Sequence, residues 1–74
     1  MTLEDYKLRT DLTYEKIGQL SEVGTDATFR AIKFPWRTRL STVLKIARVI
    51  GAPADEAEEI WKASKREYQL KRFS

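Results

Sequence analysis

Two short segments with helical periodicity, separated by only three residues, constrain the fold of this chain more than any other feature. Residues 13–21 and residues 25–33 each begin with a threonine, which can cap a helix, and each carries apolar residues on one face. The intervening residues 22–24 include a glycine and are too few for a domain linker. The pattern therefore predicts two helices that meet at a sharp corner.

The apolar residues of these segments predict which helix faces are buried. Ile17 and Leu20 are expected to face the core from the first helix, and Phe29 and Ile32 from the second. The opposite face of the second helix is then expected to be exposed; its members are Asp26, Ala27, Thr28, Arg30, Ala31 and Lys33. Because helices joined by such a corner do not pack side by side, the second can stand out and enter a DNA major groove.

The rest of the chain predicts three more helices and no strand. Residues 2–5 form a capping box that starts a helix at about Leu3, and this helix is expected to end near Thr10. Residues 34–39 are predicted to form a loop, because Pro35 disfavours helical backbone at the residue before it.

A fourth helix is predicted to begin near Leu40, with Ser41 or Thr42 as its cap, and to end at Gly51. A fifth helix over about residues 54–72 has an acidic start and a basic end, which complement the helix dipole. The sequence therefore predicts an all-α fold, a compact domain of five helices.

Length and composition exclude several classes of protein. The 74 residues, 1–74, are expected to form one domain. Cysteine and histidine are both absent, which removes disulfides, zinc knuckles and the commonest general base. We find no enzyme motif and expect no catalytic residue, metal, cofactor or small-molecule ligand. No apolar run approaches the roughly 20 residues of a membrane span, and a cytoplasmic protein is expected.

Positive charge is concentrated in the middle third of the chain. The net charge is +3. Residues 1–24 hold three basic and five acidic side chains, residues 25–50 hold six basic and one acidic, and residues 51–74 hold five of each. The excess coincides with the second helix of the corner and the segment after it. This distribution is the one expected of a surface that faces phosphates.

The order and spacing of these features resemble the lambda-repressor/Cro-like helix-turn-helix family of phage repressors. The resemblance spans residues 12–51: Leu-Thr-x-Glu-Lys-Ile opens the second helix, Val23 lies in the turn, and Ser-Thr-Val-Leu-Lys-Ile-Ala precedes a glycine in the fourth. Four features depart from the family, one of which is a shorter loop after the third helix with an uncommon Phe-Pro-Trp. Gly18 replaces the usual alanine, Glu22 stands where a turn glycine is expected, and burial of Phe29 requires a turn one residue longer than usual.

The resemblance and the geometry of the groove imply that the start of the third helix lies closest to the bases. Arg30 has the donors to bind guanine O6 and N7, and Asp26 can accept from cytosine N4. Ala27 and the methyl group of Thr28 are candidates for contact with a thymine methyl. An alternative role for Asp26 is to stabilise the helix N-terminus.

Six side chains are candidates for contact with backbone phosphates: Tyr14, Thr25, Lys33, Arg37, Thr38 and Arg39. Tyr14 stands where the family has a phosphate-binding glutamine, and its alternative role is packing against the first helix. Thr25 is expected chiefly to cap its helix. The two arginines with a hydroxyl between them suit a phosphate clamp. Trp36 is expected to close the core over the fourth helix.

The resemblance implies a sequence-specific regulator of transcription that binds double-stranded DNA, of the phage or mobile-element repressor type, as a homodimer. Ile60 and Trp61 of the fifth helix are expected to face the core, while Tyr68, Leu70 and Phe73 face a partner subunit. The alternative is a protein-interaction module such as an antitoxin or a helical adaptor. The positive charge of residues 25–50 favours DNA, since an adaptor does not need it.

Overall fold

A computed structural model describes the backbone of residues 1–73 and the side chains of residues 1–72. This part of the chain forms five α-helices and one short 3-10 turn, without a strand. They are α1 (Leu3–Thr10), α2 (Tyr14–Ser21), α3 (Thr25–Lys33), the 3-10 turn (Pro35–Arg37), α4 (Leu40–Ile50) and α5 (Ala54–Phe73). The prediction of an all-α fold with five helices is confirmed.

Side-chain caps fix the start of the first two helices. The Thr2 hydroxyl accepts from the Asp5 N–H at 3.2 Å, and the Asp5 carboxylate accepts from the Thr2 N–H at 2.8 Å. The hydrogen bond from the Thr2 N–H to the Asp5 carboxylate lowers the pKa of the Asp5 carboxyl from its ordinary value, because it favours the charged form. Thr13 caps α2 in the same way, accepting from the Lys16 N–H at 3.1 Å. Both starts therefore follow from local sequence.

The caps predicted for α3 and α4 are wrong. Gly24 is the N-cap of α3, so Thr25 is the first helical residue and does not cap the helix. Arg39 precedes α4 without a side-chain cap, and Ser41 and Thr42 lie inside the helix. The segment predicted as a loop contains the 3-10 turn, because a proline at the first position of such a turn needs no backbone donor.

Helix α4 lies at the centre of the core and contacts the other four helices. The buried apolar side chains are Leu3, Ile17, Ala31, Ile32, Val43, Ile46, Ala47, Ile50, Ala52 and Ala57. Leu20, predicted to be buried, is 53% exposed. It lies beside Lys45 and Arg48 of α4 at the surface.

Helix α5 packs on α4 and on the 3-10 turn. The Trp61 indole N–H donates to the Thr38 carbonyl at 2.8 Å, which fastens the helix to the segment after α3. At its other side, the Tyr6 hydroxyl donates to the Glu56 carboxylate, and this bond raises the pKa of Tyr6. The side chains of residues 66–72 are all exposed, so the last two turns of the helix add little to the core.

Two glycines shape the corner between α2 and α3. The Gly24 N–H donates to the Gly18 carbonyl at 3.2 Å. A Cβ atom on Gly18 would lie 2.5 Å from the Gly24 carbonyl carbon, so the helices approach more closely than alanine permits. Gly24 has φ of 90° and ψ of 165°, a conformation that is essentially restricted to glycine. The corner thus depends on both residues, and it sets the angle at which α3 leaves α2.

Candidate nucleic-acid interface

The face that α3 buries differs from the predicted one by one position. Thr28 and Ala31 are fully buried, together with Ile32, whereas Phe29 is 42% exposed. The predictions that Phe29 is buried and that Thr28 and Ala31 are exposed are therefore wrong. The Thr28 hydroxyl donates to the Gly24 carbonyl at 2.7 Å, and this bond satisfies the hydroxyl inside the protein. Thr28 is therefore no longer a candidate for contact with a base. Because Phe29 is not buried, the longer turn that its burial would require is not needed either.

The exposed face of α3 carries Thr25, Asp26, Phe29 and Arg30. Asp26 and Arg30 are four residues apart, so they lie on the same side of the helix, one turn from each other. Ala27 is half-buried at the edge of this face. The structure therefore brings together Asp26, Ala27 and Arg30 of the predicted base contacts, and it adds Phe29, which the sequence assigned to the core.

The segment after α3 carries two arginines. Arg37 and Arg39 are both exposed. The Thr38 hydroxyl donates to the Pro35 carbonyl at 3.1 Å and stabilises the 3-10 turn, while the backbone carbonyl of Thr38 accepts from α5. Both hydrogen bonds hold Thr38, the residue between the two arginines, inside the fold. The two arginines are thus supported by an ordered turn, as a phosphate clamp requires.

A row of five aromatic rings joins the start of α2 to the end of α5. The members of this aromatic row are Tyr14, Phe29, Phe34, Trp36 and Tyr68, with successive centroid distances of 5.3, 6.1, 5.5 and 5.9 Å. The first three pairs meet edge to face, and the last pair is stacked. The row was not predicted from the sequence, because Phe29 was assigned to the core. Aromatic residues on both sides of the corner were the available signal.

Tyr14 and Trp36 of the aromatic row also had predicted roles. Tyr14 is half-buried against Phe29 of α3, and the Lys7 ammonium of α1 lies 4.4 Å from its ring centroid, so the predicted contact with the first helix is present. Trp36 was expected to close the core over α4. It is half-buried and its ring contacts are with Phe34 and with Tyr68 of α5, so the structure does not confirm that it closes the core over α4.

Two cations near the aromatic row and α3, Arg37 and Lys33, have defined neighbours. The Arg37 guanidinium lies 5.8 Å from the centroid of the Phe34 ring, next to Phe29 in the aromatic row. Lys33, at the end of α3, is half-buried and donates to the Glu4 carboxylate of α1. This bond raises the pKa of Lys33, so its ammonium stays charged well above neutral pH. A phosphate contact by Lys33 requires that it exchange Glu4 for the phosphate, or bind both.

The residues predicted to face a partner subunit lie on the last turns of α5. Tyr68 is 42% exposed and Leu70 is 67% exposed. Tyr68 already stacks on Trp36 of its own chain. The side chain of Phe73 lies outside the described residues. Ile60 and Trp61 are partly buried against the core, as the sequence predicted.

Two other features, a metal site and a membrane-spanning helix, are absent from the described part of the chain. None of its residues form a group of three or more carboxylates that could hold a metal ion. None of its helices has the length and apolar character needed to cross a membrane. Comparisons of the chain with protein-family models, with curated proteins and with solved structures find no match.

Proposed function

We propose that this protein is a sequence-specific regulator of transcription that binds double-stranded DNA with α3 in the major groove. The observation that carries the proposal is the exposed face of α3, which begins directly after a tight corner and holds Asp26 and Arg30 one turn apart. A single α-helix fits the B-DNA major groove, which is about 12 Å wide. When a helix enters the major groove, the hydrogen-bonding side chains of its first turns are the ones that reach the base edges.

Three residues of α3 are the proposed base contacts. Arg30 donates two hydrogen bonds to guanine O6 and N7, a pairing that its planar guanidinium fits. Asp26 accepts from cytosine N4, or else stabilises the helix N-terminus. Ala27, at the edge of the face, makes an apolar contact with a thymine methyl group.

The proposed phosphate contacts flank α3 on two sides. Arg37 and Arg39 lie on the segment after it, and Tyr14 and Thr25 lie at the N-termini of α2 and α3. Helix N-termini favour anions because their N–H groups and dipole point toward the ligand. Together with the charge of residues 25–50, these positions support binding to the DNA backbone.

The resemblance to phage repressors supports repression of transcription by a homodimer, which occupies two half-sites about one helical turn apart. The exposed Tyr68 and Leu70 of α5 are the proposed interface residues. A regulator of this type acts in the cytoplasm. The same exposed apolar side chains favour a second candidate function, a protein-interaction module, which predicts no affinity for DNA.

The first test is the effect of Arg30→Ala on binding to a duplex selected from a random pool. We expect the variant to bind this duplex about tenfold more weakly and to lose the preference for guanine at one position, because a bidentate contact is worth about 1–3 kcal/mol. Fluorescence anisotropy against the selected duplex and its single-base variants measures both effects. Arg66→Ala, on the exposed part of α5, removes the same charge and is the control.

Two outcomes distinguish the alternatives. If Arg30→Ala weakens binding to all duplexes equally, Arg30 contacts phosphate and not a base. If the intact protein binds no duplex even at low salt, the protein-interaction function replaces the DNA-binding one.

The second test concerns the homodimer. Deleting residues 68–74 is expected to leave a folded helical domain, because the side chains of residues 66–72 are exposed. It is expected to lower affinity for a two-half-site duplex while leaving affinity for a single half-site unchanged. Sedimentation of both chains with and without DNA checks this result. A monomer in both states contradicts the dimer, and a truncated chain that unfolds shows that this end of α5 supports the core.

A further inference from the structure

Phe29 lies outside the buried core although it is the largest apolar residue of α3. It is 42% exposed, on the same exposed face of α3 as Asp26 and Arg30. The core positions of this helix are filled by Thr28, Ala31 and Ile32. The ring is also part of a continuous apolar surface with Phe34, which is 36% exposed. A contiguous exposed aromatic surface marks a contact site more often than an isolated apolar side chain does.

The ring is held in place before any partner binds. Tyr14 contacts it edge to face at 5.3 Å, with an interplanar angle of 69°, and Phe34 contacts it at 6.1 Å and 70°. Because these rings restrict its rotamers, Phe29 loses little conformational entropy when a partner covers it. A contact group that is ordered in advance suits selective recognition of a small apolar target.

The surroundings of Phe29 indicate the chemistry of that target. The neighbouring side chain on the same face is the Arg30 cation, and the Arg37 guanidinium lies over the adjacent Phe34 ring. Such a surface suits a partner that presents an apolar group among anionic and hydrogen-bonding groups. In the DNA major groove the C5-methyl group of thymine is this apolar group, and phosphates line both sides.

We propose that Phe29 determines sequence specificity by contacting the C5-methyl group of a thymine in each half-site. The inference rests on the proposed function and deepens it, since it names a base that the target must contain. Phenylalanine distinguishes thymine from cytosine here by contact with the methyl group, without a hydrogen bond.

The experiment replaces each thymine of the selected duplex in turn by deoxyuridine, which removes the methyl group and keeps the base pair. The intact protein is expected to bind about fourfold more weakly when one particular thymine is replaced, the effect of losing one buried methyl group. Phe29→Ala is expected to bind the thymine and deoxyuridine duplexes equally. Leu20→Ala removes an apolar side chain of similar exposure on α2 and is expected to keep the fourfold difference.

Three outcomes overturn the proposal while leaving DNA binding intact. The first is an intact protein that tolerates deoxyuridine at every thymine. The second is a Phe29→Ala variant that keeps the full difference. The third is a single strand bound as tightly as the duplex, because the ring then stacks on unpaired bases. Failure of the intact protein to bind any duplex is a different result, and it contradicts the proposed function itself.

Circular dichroism shows whether Phe29→Ala retains the helical fold. If it does not, Phe29→Leu replaces it. The shorter apolar side chain is expected to reduce the discrimination between thymine and deoxyuridine, and an unchanged fourfold difference overturns the proposal.

Discussion

Replacing Gly18 by alanine is expected to lower the free energy of unfolding by about 3 kcal/mol, the upper end of the range for overpacking. The new Cβ atom would lie 2.5 Å from the Gly24 carbonyl carbon, 2.6 Å from its oxygen and 2.8 Å from the Thr25 nitrogen. All three are backbone atoms, so no side chain can rotate away. Relief requires α2 and α3 to separate, which breaks the hydrogen bond from the Gly24 N–H to the Gly18 carbonyl.

Thermal unfolding followed by circular dichroism measures this effect. For a domain of this size a loss of about 3 kcal/mol corresponds to a decrease in Tm of roughly 12–24 °C. Gln19→Ala, at the exposed neighbouring position, is the matched control and is expected to change stability by less than about 0.5 kcal/mol. An equal Tm for these two variants would show that the helices are not in such close contact.

Gly24→Ala separates steric overlap from backbone strain at the same corner. A Cβ atom on Gly24 meets nothing within 4 Å, but its φ of 90° is unfavourable for alanine. The expected cost is about 1–3 kcal/mol from the backbone alone. The two substitutions thus destabilise one corner for different reasons. Only Gly18→Ala is expected to change the angle of α3 and therefore its presentation to DNA.

The bounds of the helices could be predicted from the sequence because their signals are local. The capping box at residues 2–5 and the glycine at position 51 act on backbone groups within a few residues. The start of α1 and the end of α4 agree with the prediction for this reason. The N-caps of α3 and α4 were predicted wrongly, because the tight corner and the 3-10 turn determine where these two helices begin.

The face of α3 was mispredicted because hydrophobicity was used to choose between neighbouring positions. Phenylalanine is far more apolar than threonine, so Phe29 was assigned to the core and Thr28 to the surface. The buried threonine depends on a hydrogen bond to the Gly24 carbonyl, a backbone group that hydrophobic periodicity does not consider. The small volume of Ala31 then allows α3 to pack closely on the core.

The candidate site was predicted in part. Asp26, Arg30, Arg37 and Arg39 are exposed as expected, because charged side chains at these positions have no reason to be buried. The pairing of Lys33 with Glu4 joins residues that are 29 positions apart, and the aromatic row joins four elements. Both depend on tertiary packing, which the periodicity of single segments does not specify.

Reversing the charge of the segment after α3 is expected to have the largest effect on DNA affinity. Each phosphate contact contributes about 0.9 to the slope of log K against log salt concentration. Loss of two contacts therefore lowers the slope by about 1.8, which corresponds to an affinity loss of about 30-fold at 0.15 M salt relative to 1 M. Arg37→Glu with Arg39→Glu also adds repulsion from two carboxylates, so we expect a loss greater than about 30-fold on every duplex sequence.

Titration by fluorescence anisotropy at several salt concentrations measures both the affinity and the slope. The matched control is Lys62→Glu with Arg66→Glu, which changes the net charge by the same amount at exposed positions on α5. The control is expected to keep most of the slope of log K against log salt concentration. At physiological ionic strength the substituted charges on α5 are screened from the DNA, so short-range contacts dominate. Equal losses in the two variants would mean that net charge governs binding. An unchanged slope in the arginine variant would remove Arg37 and Arg39 from the interface, and DNA binding would then depend on α3 and the helix N-termini alone.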